Sequence, residues 1–252
     1  VSTSFYETDA ALAQYLLLHY GTAEENGPLI PAAREACGFP VRCVTEPLRH
    51  LHPAPARRAL DLGCAVGRSS FELARHFDEV IGIDFSARFI EAARTMQRDG
   101  ALRFRAAREG LASDEFQVAL PADVPRTRVR FEPGDACALR GGLGVFDLVL
   151  MANLIDRLPD PARCLEQLPA LVAPGGALIV TSPYTWLEEY TPRDRWLDQG
   201  GGTLTALRDK LAPAFALVHN FDLPMLIRDH RRKYQWTVTE ASVWQRAVPS
   251  EL

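Results

Sequence analysis

The chain has no long apolar run. None reaches the roughly 18 consecutive residues of a membrane-spanning helix, so no membrane partner is expected. It has no C-x-x-C pair. Its five cysteines (Cys37, Cys43, Cys64, Cys137 and Cys164) are scattered and odd in number. That pattern argues against a disulfide framework or a zinc site and points to reduced thiols in a cytoplasmic protein. No metal ligand set is expected. Positive charge is not in excess either: 28 Lys and Arg against 32 Asp and Glu give a net charge of -4, which excludes a general nucleic-acid binder. The start, Val1 to Glu7, has neither a basic end nor an apolar centre, so it does not read as a signal peptide. Internal repeats and low-complexity tracts are also missing. What is present is 252 residues, 47% of them hydrophobic, enough for one large α/β domain with a full core.

Periodicity gives a coarse map. Residues 7–20 place Ala10, Leu12, Tyr15, Leu16 and His19 at helical spacing, with Thr8 or Asp9 as cap and Gly21 as terminator. Helices are expected at 28–37 and 41–51, before Pro53 and Pro55 break the chain. Residues 1–56 thus read as an N-terminal helical cap on a single domain, 1–252. From Arg58, short apolar runs alternate with helical segments. Strands are expected at 59–62, 80–84, 129–131, 146–151 and 177–181, and helices at 68–77, 86–98 and 160–172. This alternation predicts a doubly wound parallel sheet. The tail reads as a helix at 203–212 and short strands at 215–218, 236–238 and 241–244, with a bend at Leu223 to Arg228. An antiparallel C-terminal hairpin fits that pattern. Residues 99–127 exceed an ordinary link and read as an insertion, a lid or an oligomer contact.

Chemistry concentrates at the ends of the first three strands. The first leads into Asp61-x-Gly63-x-x-x-Gly67, with Cys64 and Ala65 between the glycines. Glycines let a backbone approach a ligand closely, and the helix start beyond can receive an anionic group. Twenty-three positions after Asp61 comes Asp84-Phe85-Ser86. An acidic residue there can accept from both hydroxyls of a ribose, with Phe85 packing on the base. After the third strand come Gly134-Asp135-Ala136-Cys137. Asp135 suits an exocyclic amine, and the next backbone N–H suits a ring nitrogen. In Cys64 and Cys137 the backbone matters more than the sulfur. A nicotinamide dinucleotide fingerprint would need a third glycine at position 68, which is Arg68.

Through Asp61, Gly63, Ala65, Gly67, Asp84, Asp135 and Asn153 the chain resembles the class I S-adenosylmethionine (SAM) dependent methyltransferases. The resemblance covers about 57–182 and the C-terminal hairpin. It implies a Rossmann-like seven-stranded sheet and SAM as cofactor, converted to S-adenosylhomocysteine (SAH). Asp61 would face the ammonium of the methionine moiety, and Arg42 would reach its carboxylate.

Outside the core, the stretches around Tyr6 and Tyr15, 152–159, 182–192 and 226–235 resemble the ovothiol-biosynthesis methyltransferases. Those occur alone or as the C-terminal domain of 5-histidylcysteine sulfoxide synthases, whose histidine-rich iron site is missing from this sequence. The resemblance implies methyl transfer to a ring nitrogen (Nπ) of 4-mercaptohistidine (5-thiohistidine). On that reading Asn153, Tyr184 and Tyr6 surround the imidazole and the methyl, and Tyr15 and Arg157 join the substrate side. Arg228 or Arg232 takes the carboxylate or thiolate. Glu188, Asp156 or His230 takes the proton or the ammonium. The base stays open.

Blander roles stand beside these. Trp186 and Trp244 suit packing. Arg228 to Lys233 suits a solvated face, Asp156-Arg157 a structural ion pair, and His19 and His50 packing or contact with water. Rival functions are methylation of another small amine, thiol or hydroxyl, and a SAM-binding regulatory subunit without catalysis. No Asn-Pro-Pro-Tyr follows the fourth strand, which leads into Ala152-Asn153-Leu154-Ile155, so a nucleic-acid substrate is not expected. A homodimer is the protein partner considered.

Overall fold

A computed structural model describes residues 5–27, 29, 31–51, 57–198 and 200–248. In chain order its elements are α1 (Asp9–Tyr20), α2 (Ala23–Asn26), α3 (Phe39–Leu48), β1 (Arg58–Leu62), α4 (Arg68–Leu73), β2 (Glu79–Asp84), α5 (Ala87–Asp99), β3 (Ala101–Glu109), β4 (Ala112–Ala119), β5 (Val129–Pro133), β6 (Phe146–Ala152), α6 (Pro161–Leu171), β7 (Val172–Ser182), α7 (Thr203–Leu211), β8 (Phe215–His230) and β9 (Lys233–Arg246). Seven strands form one sheet in the order β5-β2-β1-β6-β7-β9-β8. The first five are parallel; β9 runs antiparallel to β7 and β8.

The sheet is buried on both faces, as parallel strands require. Leu60, Ile81, Val149 and Leu178 point into one core, shared with α6, α7 and the fully buried Trp244. Ala59, Val80, Leu148 and Ile179 point into the other, under α3, α4 and α5. Each large side chain so buried stabilises the fold by about 1.5–3 kcal/mol. Local chemistry sets the helix starts. The Thr8 hydroxyl accepts the Ala11 N–H at 3.1 Å, making Thr8 the cap of α1. Ser86 does the same for α5 through the Phe89 N–H.

Several expectations about elements change. The segment 28–37, expected as a helix, carries a 3-10 turn at Pro31–Ala36; the one-turn α2, started by a Thr22–Glu25 capping box, precedes it, and positions 28 and 30 lie outside the described residues. The helix expected at 41–51 starts at Phe39 and ends at Leu48. The tail does not bend into separate strands: β8 runs through Leu223 to Arg228. Pro224 is tolerated because β8 is an edge strand, where a missing N–H costs no ladder bond, and bulges at 217–219 and 228–230 absorb the twist. Residues 99–127 contain a hairpin, β3–β4, whose Leu102, Phe104 and Ala106 alternate towards the body of the protein. Among the described residues no helix is long and apolar enough to cross a membrane.

One topological detail positions the site. The end of β7, Ser182, pairs with Glu240. Residues 233–239 of β9, with their β8 partners, therefore overhang the C-terminal edge of the parallel strands.

Candidate active site

A cavity of about 530 Å³ lies at that edge. Open α/β sheets bind ligands there, and the volume is in the usual range for a small-molecule site.

Its floor is the set of strand ends. After β1 the chain turns sharply, with Gly63, Ala65 and Gly67 all at positive φ. The N–H groups of Gly63 and Cys64 donate to the Ile83 carbonyl at 2.8 and 3.1 Å, tying the loop to β2. A side chain at Gly67 would meet Phe131 at 2.6 Å. Asp84 closes the turn: its carboxylate accepts the Ala65 and Ser86 N–H groups, each at 2.9 Å. Burial pushes its pKa up to about 6. Gly63, Ala65, Asp84, Phe85 and Ser86 line the cavity, as do Asp135 and Ala136. Phe85 is 62% exposed at the cavity mouth. The Asp135 carboxylate accepts the Cys137 N–H at 2.8 Å.

The roof comes from distant parts of the chain. Tyr6, Tyr15, Phe89 and Tyr190 form a cluster of rings with centroids 4.8–6.0 Å apart. Arg157 lies over the Tyr190 ring at 5.2 Å. Its Nη1 donates to the Asp156 carboxylate at 3.0 Å and to the Thr185 carbonyl at 2.8 Å. Burial first, then the neighbouring phenols, push the Tyr6 pKa up. Burial also pushes that of Tyr15 up to about 12, so both hydroxyls stay protonated donors. Asn153, at φ 51, projects from the end of β6; its Oδ1 accepts from the Thr181 hydroxyl at 2.9 Å. Met225, Ile227, Gln235 and Thr237 complete the wall from the overhanging hairpin.

Several expected site residues are elsewhere. Asp61 is sealed beneath the loop, where its Oδ2 accepts from the Ser69 and Ser70 hydroxyls at 2.8 and 2.6 Å. It braces the first turn of α4 and does not line the cavity. Cys64, Gly67 and Cys137 shape turns without forming the wall. Arg42 is drawn away by the carbonyls of Cys37 and Pro224. The Tyr184 hydroxyl donates to Glu240 at 2.8 Å, with Pro183 and Thr185 lining the cavity instead. Glu188 is exposed beside Arg193. Arg228 is buried on the other side of β8, donating to the Glu25 carbonyl at 2.6 Å. His230 accepts the Arg232 N–H within the hairpin turn, and the Arg232 side chain pairs with Glu109 at the surface. Asp156 and Arg157 form the ion pair and line the cavity as well. His19, Ser69, Tyr190, Gln235 and Thr237 line it without an expected role at the site. Tyr15 and His19, one turn apart, and Gln235 and Thr237, two apart on a strand, carry a spacing signal; Tyr190 falls in the stretch 182–192 expected on the substrate side, with no spacing to mark it.

A family described as a methyltransferase domain matches residues 54–248. The chain belongs to it. It is a methyltransferase domain of the SAM-dependent class. Ajmaline N-methyltransferase from Rauvolfia serpentina is 28% identical over 127 residues, 50% of this chain and 36% of that protein. A ubiquinone biosynthesis O-methyltransferase from Caulobacter sp. (strain K31) is 30% identical over 131 residues, 52% and 42% of the two chains. The aligned stretch thus spans less than half of either relative. Among solved structures, the [4+2]-cyclase SpnF has a TM-score of 0.61 at 15% identity, covering 98% of this chain and 95% of that one. The N-methyltransferase NodS from Bradyrhizobium japonicum WM9, bound to SAH, has a TM-score of 0.55 at 17% identity, covering 95% and 98%. At these identities the two structures establish the fold alone.

The floor fits the family's cofactor. The Asp84 carboxylate keeps acceptor capacity beyond its two N–H bonds, which suits a pair of vicinal hydroxyls. Ile83, Phe85, Ala136 and Leu158 offer an apolar slot for a purine, with Asp135 at its rim.

Proposed function

We propose that this chain transfers the methyl group of SAM to the Nπ ring nitrogen of 4-mercaptohistidine, giving ovothiol A. The observation that carries this reading is the roof: the phenols of Tyr6 and Tyr15, held protonated beside the Tyr190 ring, with one guanidinium, Arg157, among the residues lining a cavity of about 530 Å³. The cofactor occupies much of that volume, so the acceptor is small. Paired with Asp156, Arg157 keeps further N–H donors, and such donors set among phenol hydroxyls favour an acceptor that carries negative charge. A mercaptoimidazole amino acid has both a thiolate and a carboxylate.

When bound, SAM supplies an electrophilic methyl on a positively charged sulfur. The ring nitrogen's lone pair forms the new N–C bond while the S–C bond breaks, its electron pair passing to the departing sulfur. Placement supplies much of the rate in such a displacement. The thiolate is the softer nucleophile, so it must be held away from the methyl. The Tyr6 and Tyr15 hydroxyls and Arg157 serve that purpose, and Asp156 positions Arg157. Asn153 stands beside the reacting atoms, while Gln235 and Thr237 face the amino-acid end of the substrate. Arg157 thereby takes the role expected of Arg228 or Arg232. The similarity to the ajmaline enzyme supports a nitrogen acceptor. The same reading makes the protein a cytoplasmic enzyme, a monomer or a homodimer, with no nucleic-acid substrate.

Titration with SAH and then 4-mercaptohistidine, followed by mass spectrometry of a turnover mixture, tests this. Nπ-methylated product is expected. If SAH binds and 4-mercaptohistidine is neither bound nor methylated, the acceptor assignment fails and the methyltransferase assignment stands.

A further inference from the structure

His19 plays no part in the acceptor chemistry above. It sits on α1, only 9% exposed, and lines the cavity. Its Nδ1 accepts the backbone N–H of Arg68 at 3.3 Å. A neutral imidazole whose Nδ1 accepts carries its proton on Nε2. The ring is neutral, because burial and the nearby Arg68 charge lower its pKa to about 3. Among the described residues Nε2 has no protein partner, yet it is not one of the sealed, unpartnered atoms. The Nε2–H donor therefore opens into the cavity.

The side-chain donors nearest the glycine loop each have a protein partner already. The Ser69 hydroxyl donates to Asp61 at 2.8 Å. The Tyr20 hydroxyl donates to the Val66 carbonyl at 2.5 Å. The Arg68 guanidinium is paired with buried Glu72 at 2.9 Å. With Asp84 and Asp135 suited to the nucleoside, the loop end would face the amino-acid part of the cofactor.

We propose that His19, through Nε2–H, holds the carboxylate of the methionine moiety of SAM. The proposal rests on the cofactor and is independent of the acceptor. It also explains the grip of α1 on the loop: the Arg68 N–H bond sets the tautomer, and the Tyr20 bond sets the distance between helix and loop.

The test is calorimetric titration with SAH and with 5′-methylthioadenosine, which keeps the nucleoside and lacks the amino-acid part. Two variants separate the two ring nitrogens. His19→Asn keeps an acceptor for the Arg68 N–H and removes the inward donor. His19→Gln places an amide N–H near the position of Nε2. One lost hydrogen bond to a charged group weakens binding by about tenfold or more, so His19→Asn is expected to bind SAH about tenfold more weakly and 5′-methylthioadenosine as wild type does. His19→Gln is expected to retain most of the SAH affinity. Unchanged SAH binding in His19→Asn overturns the proposal, and so does an equal loss for both ligands, which marks a merely structural role. Failure of wild type to bind SAH would remove the cofactor assignment itself.

Discussion

The floor and the roof of the cavity are built in different ways. The floor consists of strand ends and turns whose key groups lie close in sequence: Asp84 receives the N–H groups of Ala65, 19 residues away, and Ser86, two away. The roof joins segments far apart along the chain. Gln14 on α1 donates to Asp229 on β8, 215 residues on, and Tyr6 stacks near Tyr190. The floor is held by backbone geometry, which tolerates little change. The roof is held by side-chain contacts, and its chemistry can change without disturbing the sheet. This contrast matches a family whose members share one cofactor and differ in acceptor.

Glycine replacements probe the contrast most sharply. At Gly67, φ is 90° and an added Cβ would lie 2.6 Å from Phe131. Backbone strain and overpacking together predict a loss of about 3–5 kcal/mol for Gly67→Ala. At Gly110, in the β3–β4 turn, φ is 53° with no neighbour within 4 Å, so Gly110→Ala is expected to cost about 1 kcal/mol, from backbone strain alone. Urea unfolding of both variants checks the difference; equal losses would mean that the floor is no more constrained than the periphery.

Ligand binding should divide along the same line. Asp84→Ala removes the acceptor of two loop N–H groups and the group that would accept from the ribose hydroxyls. At about 1.5–3 kcal/mol for each hydrogen bond to a charged group, SAH affinity should fall by about a hundredfold or more. Tyr6→Phe should leave SAH affinity nearly unchanged while lowering kcat/KM for the acceptor. Calorimetry and steady-state kinetics distinguish these, and a large SAH loss in Tyr6→Phe would place that phenol on the cofactor side.

Within the roof, Arg157→Gln is expected to lower kcat/KM about tenfold or more by removing the cation that faces the acceptor. Arg228→Ala should leave acceptor kinetics nearly intact and reduce stability, because Arg228 is buried against Phe116 and the Glu25 carbonyl. Loss of turnover in a folded Arg228→Ala protein would return Arg228 to the site.

Legibility follows the same divide. Asp84, Asp135 and the glycine loop could be read because turn chemistry is local and recurs at fixed offsets from strand ends. The roof depended on side-chain parity. In a strand, neighbouring residues face opposite ways. Ile227 lines the cavity, so Arg228 does not; Gln235 and Thr237 line it, so Tyr234 and Trp236 do not. Expecting a bend at 223–228 hid that alternation and made the arginines look available. Tyr184 failed similarly: at φ 53 it turns out towards Glu240, leaving Pro183 and Thr185 on the wall. Asp61 was misplaced by depth. Its spacing marks it as part of the motif, but Ser69 and Ser70 claim its carboxylate from below.

A pH profile separates two buried carboxylates of the floor. Burial raises both Asp61 and Asp84 from the usual 3.8 to about 6. A folded-state pKa above the unfolded one contributes stability that is fully present below about pH 4 and is lost as pH rises through 6. The ligand-free protein should therefore lose stability from these two groups between pH 4 and 6. Cofactor affinity should move the opposite way. Ribose hydroxyls placed against Asp84 would donate to it and favour its ionised form, so SAH binding below pH 6 should expel a proton and weaken by up to about tenfold per pH unit. Asp61 does not line the cavity and should add little to that slope. Asp84→Asn should flatten the affinity profile and leave the Asp61 part of the stability profile in place. Titrations in buffers of different ionisation heat measure the proton release directly. A profile unchanged in Asp84→Asn would mean that another group, and not the carboxylate at the end of β2, controls binding.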